Sequence, residues 1–390
     1  MTRKLILPGA TLGVMGGGQL GRMFVQAAQS MGYFTAVLDP DVTSPAGLVA
    51  HYHIEADYLD EQGLAQLMQR SDAITTEFEN VPAGALVTLG AHRAVAPTAD
   101  SVAICQNRFA EKTQFQRCGV PCAPFALVDT PERLAAVPDD LLPGILKTNR
   151  LGYDGKGQLR VADRAALAAA WDELGQVACV LEQLLPLTLE ISVVVARNAE
   201  GEVVRLPVQQ NLHHGGILAV TQVPAPDVPA ALQQQAADAA AALAAAMFYV
   251  GVLCVEFFVV ADGGEGRLVA NEMAPRPHNS GHWSIDGADV SQFDLQVRTL
   301  CGLPLVAPRQ HSAAVMLNLL GDLWFPGGGA EKTPPWPQLL ALPGVHLHLY
   351  AKTSARPGRK MGHLTVTAAT PAEARATALA AATLLGLPAF

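Results

Sequence analysis

The chain has 390 residues, of which 50% are apolar and 16% are charged, with a formal net charge of −9 at pH 7. This is a globular composition, and the length allows two or three domains with a sizeable core. The acidic balance disfavours a nucleic-acid partner, whose phosphates need clustered Lys and Arg, but it permits a small anionic ligand. No apolar run is long enough for a signal sequence or a membrane span, so we expect a cytoplasmic protein with no membrane partner.

Strands and helices alternate in the first hundred residues. Short apolar strands are expected at residues 11–14, 35–38, 73–76 and 95–97, with a helix over 20–31 after the first of them. This alternation predicts a parallel sheet. A helix capped by Asp100 and continuing to Cys118 is expected to follow.

The rest of the chain has a different pattern. Its middle part is expected to contain strands at 145–147, 179–182, 191–196 and 203–208, followed by a helix at 230–247. A hairpin should then join strands 253–260 and 267–271 through the turn 262–266. The last part should contain strands near 313–319, 345–350 and 363–367, a basic loop at 352–360 and a helix at 372–385.

A glycine-rich turn follows the first predicted strand. Residues 16–21 (GGGQLG) fit the pattern G-x-G-x-x-G and open a helix, and Asp39 ends the next strand 18 residues beyond Gly21. Alone, this is the dinucleotide fingerprint. Physically, the glycines only allow a phosphate or sugar to approach the backbone at a helix N-terminus. A different phosphorylated ligand is the favoured interpretation, with a dinucleotide or a simple tight turn as alternatives.

A lysine and a second glycine-rich segment suggest a nucleotide site. Lys147 ends an apolar strand, and the segment 152–158 (GYDGKGQ) comes five residues later. A strand-borne lysine can hold phosphates while a glycine loop closes over them and excludes water. The spacing is not that of a P-loop. A hairpin turn with solvated charges is the alternative.

Two acidic positions lie in the predicted hairpin. Glu256 is surrounded by apolar residues within its strand, where an unpaired carboxylate is costly. Asn271 and Glu272 end the strand expected to pair with it. Two carboxylates and an amide oxygen facing each other across a hairpin suit Mg²⁺, and a structural salt bridge is the alternative.

The loop that follows the hairpin is rich in polar side chains. Arg276, beside the predicted magnesium site, could stabilise a developing phosphate or carboxyphosphate charge. His278 and His282 have the spacing of zinc ligands on a helix. Pro277 and Gly281 make a regular helix improbable there, so zinc is not expected.

Five motifs together resemble a known family. They are 17–23 (GGQLGRM), 76–81 (TEFENV), 152–158, 271–282 (NEMAPRPHNSGH) and 356–363 (RPGRKMGH). With these motifs, nearly the whole chain resembles the ATP-grasp enzymes, and within them the 5-(carboxyamino)imidazole ribonucleotide synthases of bacterial and fungal purine synthesis. Ala351 stands where members of that family often have Gly, and the sequence around His213 also varies.

The resemblance implies a fold of mixed α/β and α+β type. The expected parts are a Rossmann-like domain (1–105), an ATP-grasp domain (106–301, with a lid at about 145–210) and a small C-terminal domain (302–390). It also implies a homodimer that uses Mg²⁺ or Mn²⁺ with ATP, bicarbonate and 5-aminoimidazole ribonucleotide. No biotinyl-lysine site is found, so biotin is not expected.

The resemblance further implies a role for each site residue. The expected ATP-binding residues are Arg108, Lys147, Gly152, Tyr153, Asp154, Gly155, Lys156, Gly157, Gln158, Glu182, Gln183, Leu184, Leu185, Glu190, His213, Asn271 and Glu272. The expected metal ligands are Glu256 and Glu272. The expected residues of the ribonucleotide pocket are Gln19, Leu20, Asp39, Glu77, Lys352 and Arg359, of which Lys352 and Arg359 would hold the phosphate. The expected catalytic residues are Arg276, His278, Asp154 and Lys352.

The implied activity is carboxylation of the ribonucleotide amine by ATP and bicarbonate through carboxyphosphate. Three rivals remain at this point. One is an acyl-phosphate ligase or formyl-using transferase acting on another purine intermediate, and another is a nicotinamide-dependent dehydrogenase. The third is a nucleotide-binding module without catalysis.

Overall fold

The computed structural model describes residues 5–152, 157–261, 263–264 and 266–390. The predicted loop residues Tyr153, Asp154, Gly155 and Lys156, and the turn residues Asp262 and Glu265, lie outside the described residues. Among the described residues, no helix combines the length and the apolar character that crossing a membrane requires.

The N-terminal part forms a parallel sheet, as the alternating pattern predicted. Its elements are β1 (Thr11–Met15), α1 (Gln19–Ser30), β2 (Phe34–Leu38), β3 (Tyr52–Ile54), α2 (Glu61–Arg70), β4 (Ala73–Thr76), α3 (Ala83–Gly90) and β5 (Ala94–Val95). The strands lie in the order β3-β2-β1-β4-β5. Parallel strands of this kind end at a common edge, which places the turn after β1 beside the segment after β4.

The helix predicted from Asp100 to Cys118 is wrong in its start and its continuity. Two helices replace it: α4 (Ala99–Cys105), capped by Thr98, and α5 (Arg108–Arg117), capped by Asn107. The Asn107 side chain accepts a hydrogen bond from the Ala110 amide at 2.9 Å. An asparagine that satisfies an amide in this way begins a new helix rather than continuing the old one. Arg108 consequently lies in the first turn of α5.

A small antiparallel sheet, called here the lid sheet, follows α5. Its elements are β6 (Phe125–Val128), α6 (Pro131–Ala135), β7 (Gly144–Thr148), β8 (Gln158–Val161), α7 (Arg164–Glu173) and β9 (Cys179–Gln183). The strands lie in the order β6-β9-β7-β8. Leu167 and Trp171 of α7 are buried against this sheet and form its core with the strands. The strands predicted at 145–147 and 179–182 are confirmed and slightly longer.

The strands of the largest sheet, and the helices between and after them, make up the chain from the lid sheet onward. Its first elements are β10 (Leu187–Arg197), β11 (Val203–Arg205), β12 (Gln209–His214), β13 (Ile217–Val223), α8 (Ala230–Ala246), β14 (Gly251–Val260), β15 (Arg267–Ala274), α9 (Ser284–Gly287) and α10 (Gln292–Cys301). The remaining ones are β16 (Ala313–Leu320), α11 (Trp336–Leu340), β17 (Val345–Leu349), β18 (Lys360–Ala368) and α12 (Pro371–Leu385).

This sheet passes without a break from the middle of the chain into its last part. The order is β15-β14-β10-β12-β13-β16-β18-β17, with β11 beside β10. The alanine-rich helices α8 and α12 pack on it, because their small side chains allow close contact with the strands. The strand predicted at 203–208 is shorter than expected, and Pro207, which has no backbone amide to donate, lies just beyond its end.

Candidate active site

Two adjoining cavities are lined by residues from the lid sheet, the largest sheet and segments next to the N-terminal sheet. The larger has a volume of about 700 Å³ and includes the segment after β4 and the 352–360 loop. The smaller, of about 360 Å³, lies between the lid sheet and the largest sheet. Residues common to both form their boundary: Arg108, Thr148, Gly152, Glu256, Glu272, His278, Asn279 and Lys360.

With one exception, every predicted site residue that the structure describes lines a cavity. The larger cavity is lined by Gln19, Leu20, Glu77, Arg276, Lys352 and Arg359. The smaller cavity is lined by Lys147, Gly157, Gln158, Glu182, Gln183, Leu184, Leu185, Glu190, His213 and Asn271. Arg108, Gly152, Glu256, Glu272 and His278 line both.

The glycine-rich turn before α1 binds a carboxylate of the protein itself. The Gly18 and Gly21 amides donate to the two carboxylate oxygens of Glu77, at 3.0 and 3.2 Å. A Cβ on Gly18 would lie 2.5 Å from this carboxylate, so the close approach requires glycine. Glu77 thus occupies the start of α1, where a dinucleotide would place its pyrophosphate. The glycine-rich turn therefore binds a side chain of the protein itself, which argues against the dinucleotide alternative.

Asp39 is the exception, because it lines neither cavity among the described residues. Its carboxylate accepts hydrogen bonds from the Gly17 amide at 2.6 Å and from the Tyr58 hydroxyl at 2.6 Å. It also accepts from the Asp41 amide at 2.8 Å. That Asp39 contributes to the ribonucleotide pocket stays a prediction, and the hydrogen bonds described here show that its carboxylate holds the glycine-rich turn in place.

A cluster of buried charges forms the wall of the smaller cavity. The Glu182 carboxylate lies 3.0 Å from Lys112 Nζ, 3.1 Å from Lys147 Nζ and 3.8 Å from Arg108. Burial alone would raise the pKa of Glu182, but these three cations outweigh it and lower the pKa to about 2. Glu182 is therefore ionised, and its negative charge stabilises the two buried lysines beside the smaller cavity.

Lys112 was missed by the sequence analysis. It is fully buried, and its Nζ also donates to the Asn271 carbonyl at 2.8 Å, so it links α5 to both β9 and β15. A lysine in a mostly polar helix resembles a solvated residue in the sequence. The available signal was its position four residues after Arg108, which places both cations on one face of the helix.

The two acidic residues of the hairpin face each other as predicted. Glu256 on β14 pairs directly with Glu272 on β15, and the register then shifts so that Phe257 pairs with Ala270. Asn271 is consequently the extra residue of a β-bulge. In a regular strand, successive side chains point to opposite faces. The bulge lets both Asn271 and Glu272 line the smaller cavity.

The donor atoms at this bulge fit a hard divalent cation. Glu256 Oε1 and Asn271 Oδ1 are both buried and lack a hydrogen-bond partner in the described part of the chain. Burial, and then the neighbouring Glu272 carboxylate, raise the pKa of Glu256 to about 7. Uncompensated oxygens of this type are costly without a partner and are the ligands that Mg²⁺ prefers.

The loop after β15 places a charged group and a neutral imidazole at the cavity boundary. The Arg276 guanidinium forms an ion pair with Glu79. His278 Nε2 lies 3.4 Å from Glu256 Oε1, and His278 Nδ1 lies 2.9 Å from the Ser280 hydroxyl. Burial, and then the Arg276 charge, hold the pKa of His278 well below its usual range, so its imidazole is neutral.

Gln292 organises this loop from α10. Its side-chain amide donates to the His278 carbonyl at 2.8 Å and lies 2.9 Å from His282 Nδ1, while its oxygen accepts from the His278 amide at 2.9 Å. His282 is thus a buried partner of Gln292. Gln292 was not predicted from the sequence, because its contacts depend on the packing of a separate helix.

Backbone oxygens position the cations of the 352–360 loop. Lys352 Nζ donates to the Lys360 carbonyl at 2.7 Å. Arg359 donates to the carbonyl and the hydroxyl of Ser354, at 2.7 and 3.0 Å. Ala351, just before the loop, has a φ of +57°, a conformation that favours glycine. Both predicted phosphate-binding side chains therefore reach one end of the larger cavity.

Family models match three consecutive parts of the chain. A ribonucleotide synthetase preATP-grasp domain matches residues 9–106, an ATP-grasp domain matches 113–293, and a phosphoribosylaminoimidazole carboxylase C-terminal domain matches 314–377. The first match covers the parallel sheet, the second covers the lid sheet and strands β10 to β15 of the largest sheet, and the third covers the last strands of that sheet. Together they confirm the predicted fold. The chain is an ATP-grasp ligase.

Relatives and solved structures define the family more closely. N5-carboxyaminoimidazole ribonucleotide synthase of Bacillus subtilis is 41% identical over 94% of this chain and 93% of its own. An ADP complex of an N5-carboxyaminoimidazole ribonucleotide synthetase superposes with a TM-score of 0.90 at 38% identity, covering 99% of both chains. The Aspergillus clavatus enzyme, solved with ADP and 5-aminoimidazole ribonucleotide, has a TM-score of 0.86 at 30% identity, covering 97% of this chain and 98% of its own. The chain belongs to the N5-carboxyaminoimidazole ribonucleotide synthases, the family that its motifs predicted.

Proposed function

We propose that the chain uses ATP and bicarbonate to carboxylate the exocyclic amine of 5-aminoimidazole ribonucleotide, releasing ADP and phosphate. The observation that carries this proposal is the shared boundary of the two cavities. Glu256, Glu272 and His278 face both, with buried lysine on one side and the 352–360 loop on the other. A reactive intermediate formed in one cavity can reach an amine in the other without crossing solvent.

The smaller cavity suits ATP. Lys147 and Arg108 would contact the phosphates, and Glu190 would accept from the ribose hydroxyls. Glu190 is held by His213 at 2.6 Å, and this contact raises the pKa of His213 although burial alone would lower it. The other proposed ATP contacts are Gly152, Gly157, Gln158, Glu182, Gln183, Leu184, Leu185, Asn271 and Glu272. Tyr153, Asp154, Gly155 and Lys156 are expected to complete them from outside the described residues.

Glu256 and Glu272 would hold Mg²⁺ or Mn²⁺ beside the phosphates. When bound, the ion supplies positive charge that offsets the negative charge of the transferring phosphoryl group. Glu256→Gln keeps the shape but removes the charge, so we expect turnover to fall about 100-fold and the magnesium requirement to rise. Magnesium titrations of ADP release would measure both, with the exposed Glu132→Gln as control. An unchanged magnesium requirement would contradict the ligand assignment.

The larger cavity suits the ribonucleotide. Lys352 and Arg359 would hold its phosphate, since a point charge and a planar fork together suit a phosphomonoester. Gln19, Leu20 and Glu77 would lie along the sugar and base, with Asp154 reaching in from the glycine loop. Asp39 would act only indirectly, through the turn that it holds.

The chemistry has two steps. A bicarbonate oxygen attacks the γ-phosphorus of ATP, and ADP leaves with the electrons of the broken P–O bond. The ribonucleotide amine then attacks the carboxyl carbon, and phosphate leaves with the electrons of the C–O bond and takes the proton from nitrogen. Arg276 would stabilise the charge that develops on the carboxyl oxygens, and the neutral His278 can accept or orient a proton beside it. This scheme needs no biotin.

We further expect a cytoplasmic homodimer with neither a nucleic acid nor a membrane as partner. Sedimentation equilibrium would test the dimer. A monomer at every protein concentration would contradict it.

The decisive experiment is ADP release by the purified protein with Mg-ATP and bicarbonate, with and without 5-aminoimidazole ribonucleotide. We expect strong stimulation by this amine and none by glycine or formate. ADP release that is indifferent to the amine would overturn the substrate assignment.

A further inference from the structure

Glu79 belongs to the segment after β4, and the sequence analysis assigned no role to it. Its carboxylate accepts a hydrogen bond from Nε of Arg276, which lies 197 residues further along the chain. Both side chains line the larger cavity, and they are only 29% and 17% exposed. This ion pair joins the N-terminal sheet to the loop after β15 in the cavity wall.

The guanidinium of Arg276 is held at two points. Nε donates to Glu79, and NH1 donates to the Pro277 carbonyl at 3.0 Å. Within the described residues, the remaining terminal nitrogen NH2 donates no hydrogen bond. A planar guanidinium that donates from two of its three nitrogens is fixed in orientation, so its third nitrogen, NH2, also has a fixed position. Because Arg276 lines the larger cavity, NH2 can donate to a ligand there.

Charge complementarity supports this arrangement. Burial alone would lower the pKa of Arg276 and raise the pKa of Glu79. Their mutual attraction outweighs burial in both cases, so that the pKa of Arg276 is raised and that of Glu79 is lowered. The two groups are therefore charged together at neutral pH, which makes the hydrogen bond between them a strong and directional one.

We propose that Glu79 is a positioning residue for carboxyl transfer, acting through Arg276. It fixes the position of the guanidinium nitrogen NH2 in the larger cavity, where the amine would receive the carboxyl group. This inference rests on the proposed function. When the guanidinium is free to rotate, the carboxylated intermediate is stabilised less often and reacts with water before the amine captures it.

Glu79→Gln tests the proposal, since it keeps the size and an oxygen acceptor but removes the charge. We expect the rate of ribonucleotide carboxylation to fall about 10- to 100-fold, the range for losing a charged hydrogen bond in a site. We also expect ADP release per carboxylated product to rise above the value of the unaltered protein. KM for ATP should change less than about twofold, because Glu79 does not line the smaller cavity.

Three further variants separate positioning from a merely structural effect. Coupling is used here for the amount of carboxylated product formed per ADP released. Glu79→Asp keeps the charge and should restore part of the lost coupling. In the double variant Glu79→Gln with Arg276→Gln, the pair is neutral and similar in shape, so folding is protected, and coupling should be no worse than in Arg276→Gln alone. Asp139→Asn breaks a comparable Nε–carboxylate pair with Arg164, which is exposed and lines neither cavity, and should leave coupling unchanged.

The outcomes are distinct. A rise in KM for the ribonucleotide with unchanged coupling would make Glu79 a substrate contact and overturn the proposal. Equal loss of ATP affinity and turnover, or a further loss from Glu79→Gln in the Arg276→Gln background, would also overturn it. Failure of the proposed function is seen separately, as unaltered protein whose ADP release ignores the ribonucleotide.

Discussion

Cations are held differently beside the two cavities. Beside the smaller cavity, Lys112 and Lys147 both contact the Glu182 carboxylate, at 3.0 and 3.1 Å, and all three residues are buried. In the wall of the larger cavity, Arg359 donates to the carbonyl and the hydroxyl of Ser354, at 2.7 and 3.0 Å. The first arrangement is a cluster of opposite charges, whereas the second fixes a cation with neutral oxygens.

The difference follows from burial. Lysines that are buried, as Lys112 is fully and Lys147 nearly, are costly without a counter-ion within the protein. Glu182 supplies it, so the cations beside the smaller cavity are positioned by the protein itself. Arg359 is partly exposed and needs no protein carboxylate, so its full charge is available to a phosphate. Stability should therefore depend on the first region and ribonucleotide affinity on the second.

The largest expected effect comes from Glu182→Gln. This change leaves Lys112 buried with the Asn271 carbonyl but without its counter-ion, and breaking a buried ion pair costs about 3–5 kcal/mol. We expect the free energy of unfolding to fall by that amount in urea titrations. Asp139→Asn, which removes an exposed pair, is the control and should cost less than about 1 kcal/mol. Equal losses of unfolding free energy in the two variants would show that the buried and the exposed pair contribute alike, and would contradict this prediction.

The stability of the unaltered protein and that of Glu182→Gln should depend differently on pH. The pKa of Glu182 is lowered to about 2, below its unfolded value of about 4.3. Its stabilising contribution is thus present above about pH 4.3 and is lost as the pH falls toward about 2. The stability difference between the unaltered protein and Glu182→Gln should stay constant at neutral pH and shrink below about pH 4.3. Urea titrations across this range would measure it, and a difference that does not shrink would contradict the ionised state.

Arg359→Ala tests the other region. We expect KM for 5-aminoimidazole ribonucleotide to rise about 10- to 100-fold, since a charged hydrogen bond to phosphate is lost. KM for ATP and the free energy of unfolding should change little. Steady-state kinetics with each substrate varied in turn would measure the contrast, and Arg117→Ala, an exposed residue of α5, is the control. Equal effects on both KM values would contradict the assignment of Arg359 to phosphate.

The smallest expected effect is at Ala351, which begins the same loop. Its φ of +57° costs an L-residue roughly 1–2 kcal/mol, and glycine removes this strain but loses about 0.5–1 kcal/mol of backbone entropy. Ala351→Gly should therefore raise the free energy of unfolding by up to about 1 kcal/mol. Ala351→Val should lower it, since a β-branched residue tolerates this conformation poorly. A more stable valine variant would show that the loop is not strained.

Sequence patterns predicted the fold well where a local rule applies. The alternation in the first hundred residues gave the parallel sheet, and the hairpin pattern gave the pairing of Glu256 with Glu272. The break between α4 and α5 was missed because helices lie on both sides of Asn107, whose capping role depends on its side-chain geometry. Caps of this kind are weak signals inside an otherwise helical segment.

The site was predictable where side-chain chemistry is distinctive, and less so where it depends on three-dimensional packing. Carboxylates in an apolar strand and a glycine loop after a strand lysine are visible in the sequence. Lys112, Gln292 and Glu79 were missed because their partners lie on other elements, far along the chain. Asp39 was placed in the pocket by resemblance, and its hydrogen bond to the glycine-rich turn could not be foreseen from the sequence because it depends on how the turn packs.

The largest sheet also fixes the distance between opposite walls of the joined cavities. In a flat sheet, β14 and β18 would be separated by five strand spacings, roughly 24 Å. Glu256 on β14 and Lys360 on β18 nevertheless line the same two cavities, so the sheet curls around them. Because β13 and β16 are joined by continuous hydrogen bonding, this curvature is fixed by the strands and not by a hinge. If the ribonucleotide binds as proposed, the sheet fixes the distance between the places of its phosphate and its amine, and an acceptor that is longer or shorter by a single sugar carbon would present its nitrogen at the wrong place.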